Sequence, residues 1–374
     1  MTARTPAPLP VRVPPGGTIG ILGGGQLGRM LAMAAARLGL RCHVYSDTET
    51  GPAADVSAKG TTGDYDDFDR LADFARDVDV VTFEFENVPV AAATHLESIK
   101  PVFPPPKALA IAQDRLVEKD FMSELGIAVA PYAAVDDDES LAAAVADIGT
   151  PALLKTRRLG YDGKGQFRLT TPAEVSAARS AIGEAPTILE GFVAFECEVS
   201  VLMVRGYGAE EPPRLVDRAY DIPTNSHKDG ILDRSIVPSD LPDSCVGEAV
   251  GIAARIADAL DYRGVLAVEL FVVRQSDQWR LVVNEIAPRV HNSGHWTMDA
   301  CQTDQFENHI RAVAGWPIGS TDRHSNAEMI NLIGGDAHDW LSYASRSDCS
   351  VHLYGKHDVR PGRKMGHVNR IWGR

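Results

Sequence analysis

Fourteen residues near the three-quarter point of the chain, NEIAPRVHNSGHWT at 284–297, carry an unusual density of side chains that can bind ions or form hydrogen bonds. A carboxylate, a guanidinium, two imidazoles and two amides occur with few aliphatic residues between them. Such side chains are seldom buried without partners, so the stretch is too polar for a core strand. It predicts a site that binds polar or charged ligands.

Two acids, Glu269 and Glu285, fall in neighbouring β-like runs within VLAVELFVVRQSDQWRLVVNEIAP. If residues 274–278 form the loop between the runs, Glu269 lies opposite Val283. Glu285 is then the diagonal neighbour of Glu269 on the same face, and their Cα atoms are about 7 to 8 Å apart. Two carboxylates on an apolar face are costly to bury without a cation. The pattern therefore predicts a magnesium ion that carries a nucleotide polyphosphate. The alternative is that one or both acids pair with a basic side chain.

A glycine-rich segment, GYDGKGQ at 160–166, lies between two further β-like runs. Its DG step is typical of a hairpin turn, which needs no ligand. Exposed backbone N–H groups in such a loop can also hold phosphate oxygens, and Lys155 on the preceding run supplies a positive charge. The loop thus predicts a flexible cover over a nucleotide, although the GxxxxGK[ST] pattern is absent.

Near the N-terminus, TIGILGGGQLGRMLAMAAARLGLRCHVYSD predicts a strand, a helix and a second strand. Its glycines fit G-x-G-x-x-G at Gly23, Gly25 and Gly28, and Asp47 stands about 20 residues on, where dinucleotide-binding folds place an acid. A tight strand-to-helix turn requires glycine whether or not it binds a phosphate. Dinucleotide binding and a purely structural turn both stay open on this pattern.

The segment VHLYGKHDVRPGRKMGH at 351–367 concentrates positive charge in an acidic chain. A basic run is commonly a solvated face, but its contrast with a formal net charge of -14 favours a phosphate or carboxylate pocket. The 51 acidic residues against 37 basic ones argue against a nucleic-acid partner.

Composition and length limit the class of protein. A chain of 374 residues can form two or three domains. No run approaches the roughly 20 apolar residues of a membrane helix, so we expect no membrane partner. The cysteines are odd in number and contain no CxxC, which indicates a reducing cytoplasm; they are Cys42, Cys197, Cys245, Cys301 and Cys349.

The order of elements predicts an α/β followed by an α+β organisation. We expect a disordered, proline-rich extension over 1–17, a Rossmann-like domain over 18–112, a smaller α+β domain over 113–196 and a β-rich domain over 197–374.

Six segments together resemble the N5-carboxyaminoimidazole ribonucleotide synthetases, a family of the ATP-grasp superfamily. They are GGGQLGRM (23–30), FEFENVP (83–89), GYDGKGQ (160–166), HKDGI (227–231), NEIAPRVHNSGHWT (284–297) and RPGRKMGH (360–367). The resemblance implies an ATP-grasp fold with an N-terminal Rossmann-like (pre-ATP-grasp) domain, a small lid domain and a C-terminal β-rich domain. It also implies a ligase of purine biosynthesis that uses ATP to carboxylate 5-aminoimidazole ribonucleotide with bicarbonate, through carboxyphosphate. Such a ligase would be a homodimer in the cytoplasm.

The same resemblance implies roles for individual residues. The expected ATP-binding residues are Arg115, Lys155, Gly160, Tyr161, Asp162, Gly163, Lys164, Gly165, Gln166, Glu190, Gly191, Phe192, Val193, Glu198, His227, Asn284 and Glu285. The expected residues for the ribonucleotide and the bicarbonate-derived group are Gln26, Leu27, Glu84, Tyr161, Arg289, His291, Asn292, Ser293, Lys356 and Arg363. Asp162, Arg289, His291 and Lys356 are the expected catalytic residues. Glu269 and Glu285 would bind magnesium, or manganese in its place.

One departure from the family is expected at the C-terminus. Family members continue past the GHxN element with a further helix and strand, whereas this chain ends in GHVNRIWGR, which predicts a shortened C-terminal domain. Three other interpretations stay open: another ATP-grasp carboxylate–amine ligase, a nucleotide-binding protein without catalysis, and an NAD-dependent oxidoreductase.

Overall fold

The structure is a computed structural model that describes residues 12–160, 165–276 and 278–374. Within these residues the strands form three β-sheets. The first is parallel, with strand order β3-β2-β1-β4. Its region contains β1 (Thr18–Leu22), α1 (Gln26–Arg37), β2 (Arg41–Ser46), β3 (Lys59–Thr62), α2 (Phe68–Arg76), β4 (Val80–Phe83), α3 (Val90–Glu97) and α4 (Pro106–Ala112). Strands β1 and β4 are almost wholly buried, as expected for parallel strands that are covered on both faces.

The second sheet is antiparallel, with order β5-β8-β6-β7. Helices α6 and α7 bury apolar side chains against it, and Leu141, Val145, Leu154 and Leu189 belong to one core. Its region contains α5 (Arg115–Glu124), β5 (Tyr132–Val135), α6 (Asp138–Ile148), β6 (Ala152–Thr156), β7 (Gln166–Leu169), α7 (Val175–Ile182) and β8 (Thr187–Gly191).

The third sheet is large and antiparallel, with order β14-β13-β9-β11-β12-β15-β17-β16 and β10 also paired to β9. Helix α8 covers one face around Val268 and Leu270, whereas α10 packs on the other face. The elements are β9 (Cys197–Tyr207), β10 (Leu215–Ala219), β11 (Thr224–Lys228), β12 (Ile231–Val237), α8 (Asp243–Ala259), β13 (Gly264–Gln275), β14 (Gln278–Ala287), α9 (Thr297–Ala300), α10 (Gln305–Val313), β15 (Asn326–Ile333), α11 (Trp340–Ala344), β16 (Cys349–Leu353) and β17 (Lys364–Trp372).

Helix α1 joins the parallel sheet to the large sheet. Its Leu31 and Ala35 lie in one apolar cluster with Ile310 and Val313 of α10. Val13 also belongs to this cluster, is 2% exposed and donates its N–H to the carbonyl of Ala314 at 2.9 Å. The prediction of a disordered extension is therefore wrong for residues 12–17, because an apolar anchor fixes them; residues 1–11 lie outside the described part. Across the described chain, the helices lack the length and apolar character needed to cross a membrane.

His309 of α10 forms a buried polar link between the two sheets. Its Nδ1 accepts a hydrogen bond from the N–H of Val265 at 3.1 Å, and its Nε2 lies 2.8 Å from the hydroxyl of Thr82 on β4. Because Nδ1 accepts, the neutral ring must carry its proton on Nε2 and donate to Thr82. Burial lowers the pKa of His309 to about 3.

This histidine should make the protein less stable in mild acid. Between pH 6.5 and pH 3, His309 binds a proton in the unfolded chain but not in the folded chain. The contribution of His309 to the free energy of unfolding therefore rises with pH and is lost as pH falls. At pH 5 that loss is about 2 kcal/mol. Urea unfolding at pH 7 and pH 5 measures this loss of stability. We expect the free energy of unfolding to fall less in His309→Asn than in the wild type, because asparagine keeps an acceptor near the position of Nδ1 but does not titrate. Equal losses in both proteins would contradict the assignment.

Candidate active site

A cavity of about 830 Å³ lies where the three sheets meet. The glycine turn before α1, the end of the β6–β7 hairpin, the β13–β14 hairpin and the connection between β16 and β17 all border it. It brings together most of the residues expected to bind substrates: Gln26, Leu27, Glu84, Arg115, Lys155, Gly160, Gln166, Glu198, His227, Glu269, Asn284, Glu285, Arg289, His291, Asn292, Lys356 and Arg363. Among its described lining residues, seven are Lys or Arg and five are Glu, a balance that favours anionic ligands in this acidic chain.

Other expected residues lie beside the cavity or outside the described residues. Those that do not line it are Gly165, Glu190, Gly191, Phe192, Val193 and Ser293. Tyr161, Asp162, Gly163 and Lys164 lie outside the described residues.

The β13–β14 hairpin has a different register from the one that the sequence predicted. Leu270 pairs with Val283, and a β-bulge then places Glu269 directly opposite Glu285, so that Asn284 has no partner on β13. The predicted pairing of Glu269 with Val283 is therefore wrong by one residue, and the bulge adds a second shift. The predicted common face is correct, because the bulge turns both Asn284 and Glu285 into the cavity.

Each carboxylate of this acid pair has a basic neighbour, as the alternative interpretation required. Arg115 donates to Oε2 of Glu285 at 2.9 Å, and Nε2 of His291 lies 3.0 Å from Oε1 of Glu269. Burial would raise the pKa of Glu269, but the hydrogen bond and charge of His291, together with the charges of His227 and Lys364, outweigh burial and lower the pKa to about 2. Glu269 is therefore ionised at neutral pH.

The acid pair also fits a magnesium ion. Among the described residues, the second oxygen of each carboxylate has no hydrogen-bond partner, and no group of three or more His, Cys, Asp and Glu side chains could hold a metal. Mg²⁺ commonly takes one or two carboxylates and completes its shell with water and substrate phosphates. The donor set of Glu269 and Glu285 has that composition.

Glu84 occupies the glycine turn before α1. Its Oε2 accepts from the N–H of Gly28 at 2.6 Å, and its Oε1 accepts from the N–H of Gly25. A Cβ atom at Gly25 would lie 2.6 Å from Oε1, and one at Gly23 would collide with Glu84 Cγ. A carboxylate of the chain thus takes the N–H groups that would hold a pyrophosphate in a dinucleotide-binding fold. This arrangement argues against NAD binding and explains the glycines.

Gly23→Ala should destabilise the protein, because Gly23 has φ +116° and its new methyl group would meet Glu84. We expect a loss of about 1 to 3 kcal/mol in the free energy of unfolding. Gly247→Ala is a suitable control: nothing lies within 4 Å of its added Cβ, and helix α8 should gain about 0.5 to 1 kcal/mol. Urea unfolding measures both changes, and equal stabilities for the two variants would contradict the close fit of Glu84.

Glu86 is a functional candidate that the sequence analysis missed. It forms a close ion pair with Nε of Arg289. Burial alone would raise the pKa of Glu86, but Arg289 outweighs this effect and lowers it to about 2. The available signal was a second acid two residues after Glu84, just past the buried strand β4. Arg289 also donates to the carbonyl of Val290 at 3.0 Å, so its guanidinium is fixed at the cavity wall.

Lys119 is a second missed residue, adjacent to the site. Lys155 donates to Glu190 Oε2 at 2.9 Å, and the ammonium group of Lys119 lies 3.8 Å from the same oxygen. Although burial opposes it, the two lysines lower the pKa of Glu190 to about 2. Glu190 therefore acts behind the cavity wall, where it holds Lys155, which explains why it does not line the cavity.

The apolar part of the cavity lies between the two antiparallel sheets. The rings of Phe195 and Phe271 stack with centroids 4.7 Å apart, and Leu153 lies on the same wall. Nearby, Nδ1 of His227 is 3.1 Å from Oε2 of Glu198. Burial lowers the pKa of His227, but the hydrogen bond and charge of Glu198, together with the charge of Glu269, outweigh burial, and the net shift of the pKa is upward. A flat aromatic wall beside polar groups suits a purine base.

The connection between β16 and β17 supplies further cations to the cavity lining. Lys356 donates to the carbonyl of Lys364 at 2.7 Å, and its ammonium lies 5.5 Å from the ring centre of Tyr354. Arg363 donates to the carbonyl of Asp358 at 2.9 Å. These contacts orient two cations that the sequence analysis assigned to an anionic substrate. On the neighbouring wall, His291 Nδ1 is 2.8 Å from the hydroxyl of Ser293, and Asn292 donates to Asn331 at 3.0 Å.

Comparison with known proteins gives three family matches along the chain. Residues 17–113 match the ribonucleotide synthetase preATP-grasp domain, residues 120–306 match the ATP-grasp domain, and residues 327–372 match the phosphoribosylaminoimidazole carboxylase C-terminal domain. N5-carboxyaminoimidazole ribonucleotide synthase of Brucella melitensis is 50% identical over 359 residues, which cover 96% of this chain and 97% of the relative. The chain belongs to the N5-carboxyaminoimidazole ribonucleotide synthase family.

Solved structures of this family agree with the fold described above. The enzyme from Staphylococcus aureus, complexed with ADP, has a TM-score of 0.91 at 31% identity, over 98% of this chain and 96% of that one. The enzyme from Aspergillus clavatus, in complex with ADP and 5-aminoimidazole ribonucleotide, has a TM-score of 0.87 at 29% identity, over 96% and 94%. The expected ATP-grasp fold with an N-terminal preATP-grasp domain is confirmed.

Proposed function

We propose that this protein is a ligase that uses ATP to carboxylate 5-aminoimidazole ribonucleotide with bicarbonate, forming N5-carboxyaminoimidazole ribonucleotide, ADP and phosphate in purine biosynthesis. The observation that carries the proposal is that one cavity is lined by the acid pair Glu269 and Glu285, by the stacked rings of Phe195 and Phe271 and by seven Lys and Arg side chains. Family membership and the ligands of the related structures support it.

The first step phosphorylates bicarbonate. A bicarbonate oxygen attacks the γ-phosphorus of ATP, the bond to the β-phosphate oxygen breaks, and ADP and carboxyphosphate form. In-line phosphoryl transfer depends mainly on positioning and on neutralised charge. Lys155, held by Glu190, and Arg115, held by Glu285, supply positive charge beside the phosphates, while the Phe271 wall and the His227–Glu198 pair adjoin the nucleoside.

Glu269 and Glu285 would hold the magnesium ion, or manganese in its place. The ion would neutralise phosphate charge and orient the polyphosphate. The protein's own contribution is to present two carboxylates on one strand pair and to keep Arg115 and His291 beside them.

The second step transfers the carboxyl group. Carboxyphosphate breaks into phosphate and CO2, the exocyclic amine of the ribonucleotide attacks the carbon, and the amine loses a proton. Arg289, His291, Asn292 and Ser293 would hold the bicarbonate-derived group, with Gln26, Leu27, Glu84, Lys356 and Arg363 around the ribonucleotide. Asp162 would complete the proposed catalytic set of Arg289, His291 and Lys356. Tyr161 and the rest of the 160–166 loop would keep water from carboxyphosphate.

A coupled assay of ADP release with each substrate omitted in turn tests the proposal. We expect ADP release to require both bicarbonate and 5-aminoimidazole ribonucleotide. ATP turnover that ignores the ribonucleotide would refute this function, and ADP binding without turnover would favour a binding protein. The assay also separates this reaction from that of another carboxylate–amine ligase, which would require a different amine.

Several further properties belong to the proposal. We expect a homodimer in the cytoplasm, with domains over 18–112, 113–196 and 197–374. Size-exclusion chromatography with light scattering measures the assembly state, and limited proteolysis locates the boundaries.

A further inference from the structure

Helix α5 hydrogen-bonds the edge of the large sheet at the bulge in β14. Strand β14 is the terminal strand of its sheet, and among the described residues its outward edge pairs with backbone only through an isolated bridge between Val129 and Val283. Oε1 of Glu118 accepts from the N–H of Ile286 at 2.7 Å. Lys119 donates to the carbonyl of Asn284 at 2.6 Å and contacts that of Val283 at 3.4 Å. Two adjacent side chains therefore bind backbone groups on both sides of Glu285.

These contacts replace hydrogen bonds that water cannot supply. Glu118 is 2% exposed and Lys119 is 1% exposed. A buried backbone group without a partner costs about 1 to 3 kcal/mol. The bulge leaves such backbone groups without a partner strand, because no residue of β13 pairs with Asn284.

The bulge decides where Glu285 points. If the pairing of Leu270 with Val283 continued without it, Asn284 would lie opposite Glu269. A shift of one residue moves a side chain to the other face of a sheet, so Glu285 would then leave the cavity. The position of the second carboxylate thus depends on a local irregularity that α5 stabilises.

We propose that Glu118 and Lys119 are positioning residues that clamp the β14 bulge and so hold Glu285 opposite Glu269 as a divalent-metal pair. The inference rests on the proposed function in one respect, that the acid pair binds the metal of a metal–nucleotide complex. Neither residue lines the cavity, so both act through the backbone of β14.

Mn²⁺ binding in the presence of ADP, followed by electron paramagnetic resonance, tests the clamp without requiring turnover. Glu118→Leu removes the acceptor for Ile286 and should weaken Mn²⁺ binding about 10-fold or more. Glu118→Gln keeps an acceptor oxygen of the same shape and should bind Mn²⁺ within about twofold of the wild type. Lys119→Met should also weaken binding; its control is Lys107→Met, which removes a lysine that donates to the Ala259 carbonyl away from the cavity.

The outcomes separate a positioning role from a merely structural one. Normal Mn²⁺ affinity in folded Glu118→Leu would overturn the proposal, as would an equal loss in Glu118→Gln, because charge rather than the hydrogen bond would then matter. If Glu118→Leu does not fold, Lys119→Met and Lys107→Met decide the question by the same measurement. ADP release without the ribonucleotide would refute the proposed function and leave the Mn²⁺ result interpretable.

Discussion

Glu285→Gln should reduce ADP release by about 100-fold or more while the fold is retained. The substitution removes one of two negative charges that lie opposite each other on β13 and β14. The metal that these carboxylates would hold is expected to stabilise the charge of the transition state by several kcal/mol. The glutamine keeps an oxygen of similar position, so Arg115 can still donate to residue 285. Steady-state kinetics over a range of Mg²⁺ concentrations measures the effect.

The control for this variant is Glu248→Gln, which changes an exposed glutamate on α8. It alters the net charge by the same amount and should leave both kcat and the Mg²⁺ requirement unchanged. Urea unfolding of the two variants checks that neither loses its fold. Wild-type activity in Glu285→Gln would refute the metal assignment, and an equal loss in Glu248→Gln would show that overall charge is responsible.

Glu190→Leu should lower the free energy of unfolding by about 3 to 5 kcal/mol and weaken ADP binding. Glu190 is 3% exposed and lies 2.9 Å from Lys155 and 3.8 Å from Lys119. Removing one member of a buried ion pair leaves the opposite charge desolvated without compensation. Here two ammonium groups lose their shared carboxylate, so Lys155 would also move from the position proposed to contact phosphate.

The pH dependence of this effect has a definite sign. The pKa of Glu190 is lowered to about 2, so its stabilisation is fully present above the pKa of an unfolded glutamate, about 4.3. The stabilisation is lost as pH falls from there towards 2, and the difference between wild type and Glu190→Leu should shrink over that range. Asp77→Asn, which disrupts an exposed pair with Lys59, should cause no measurable change. A similarly small change in Glu190→Leu would contradict the buried network.

Many site residues could be predicted because their chemistry is concentrated in short segments. The segment NEIAPRVHNSGHWT predicted a polar site, and Asn284, Glu285, Arg289 and His291 all line the cavity. Hairpin periodicity predicted that Glu269 lies on the same face as Glu285. The register was wrong by one residue because the strands pair as far as Gln275 and Gln278, so the loop is shorter than predicted, and the bulge adds a second shift that periodicity cannot reveal. The bulge receives hydrogen bonds from α5, and the partners Glu118 of α5 and Ile286 of β14 are 168 positions apart in the chain.

The glycine turn shows the same limit. G-x-G-x-x-G predicted a tight turn before α1, but sequence alone left open what the turn binds. The fold decides this, because β4 lies parallel to β1 and delivers Glu84 to the N–H groups of Gly25 and Gly28.

The sequence by itself determined the element types, the identity of the ionisable groups and the segments in which they cluster, because these depend on local pattern. Only the tertiary structure decided which charges meet: Glu86 with Arg289, Glu190 with Lys119, and Glu285 with Arg115. Those pairs join residues far apart in the chain, and their energies depend on burial and on distances of a few ångströms. Such quantities are fixed by packing among the three sheets and cannot be read from spacing along the chain.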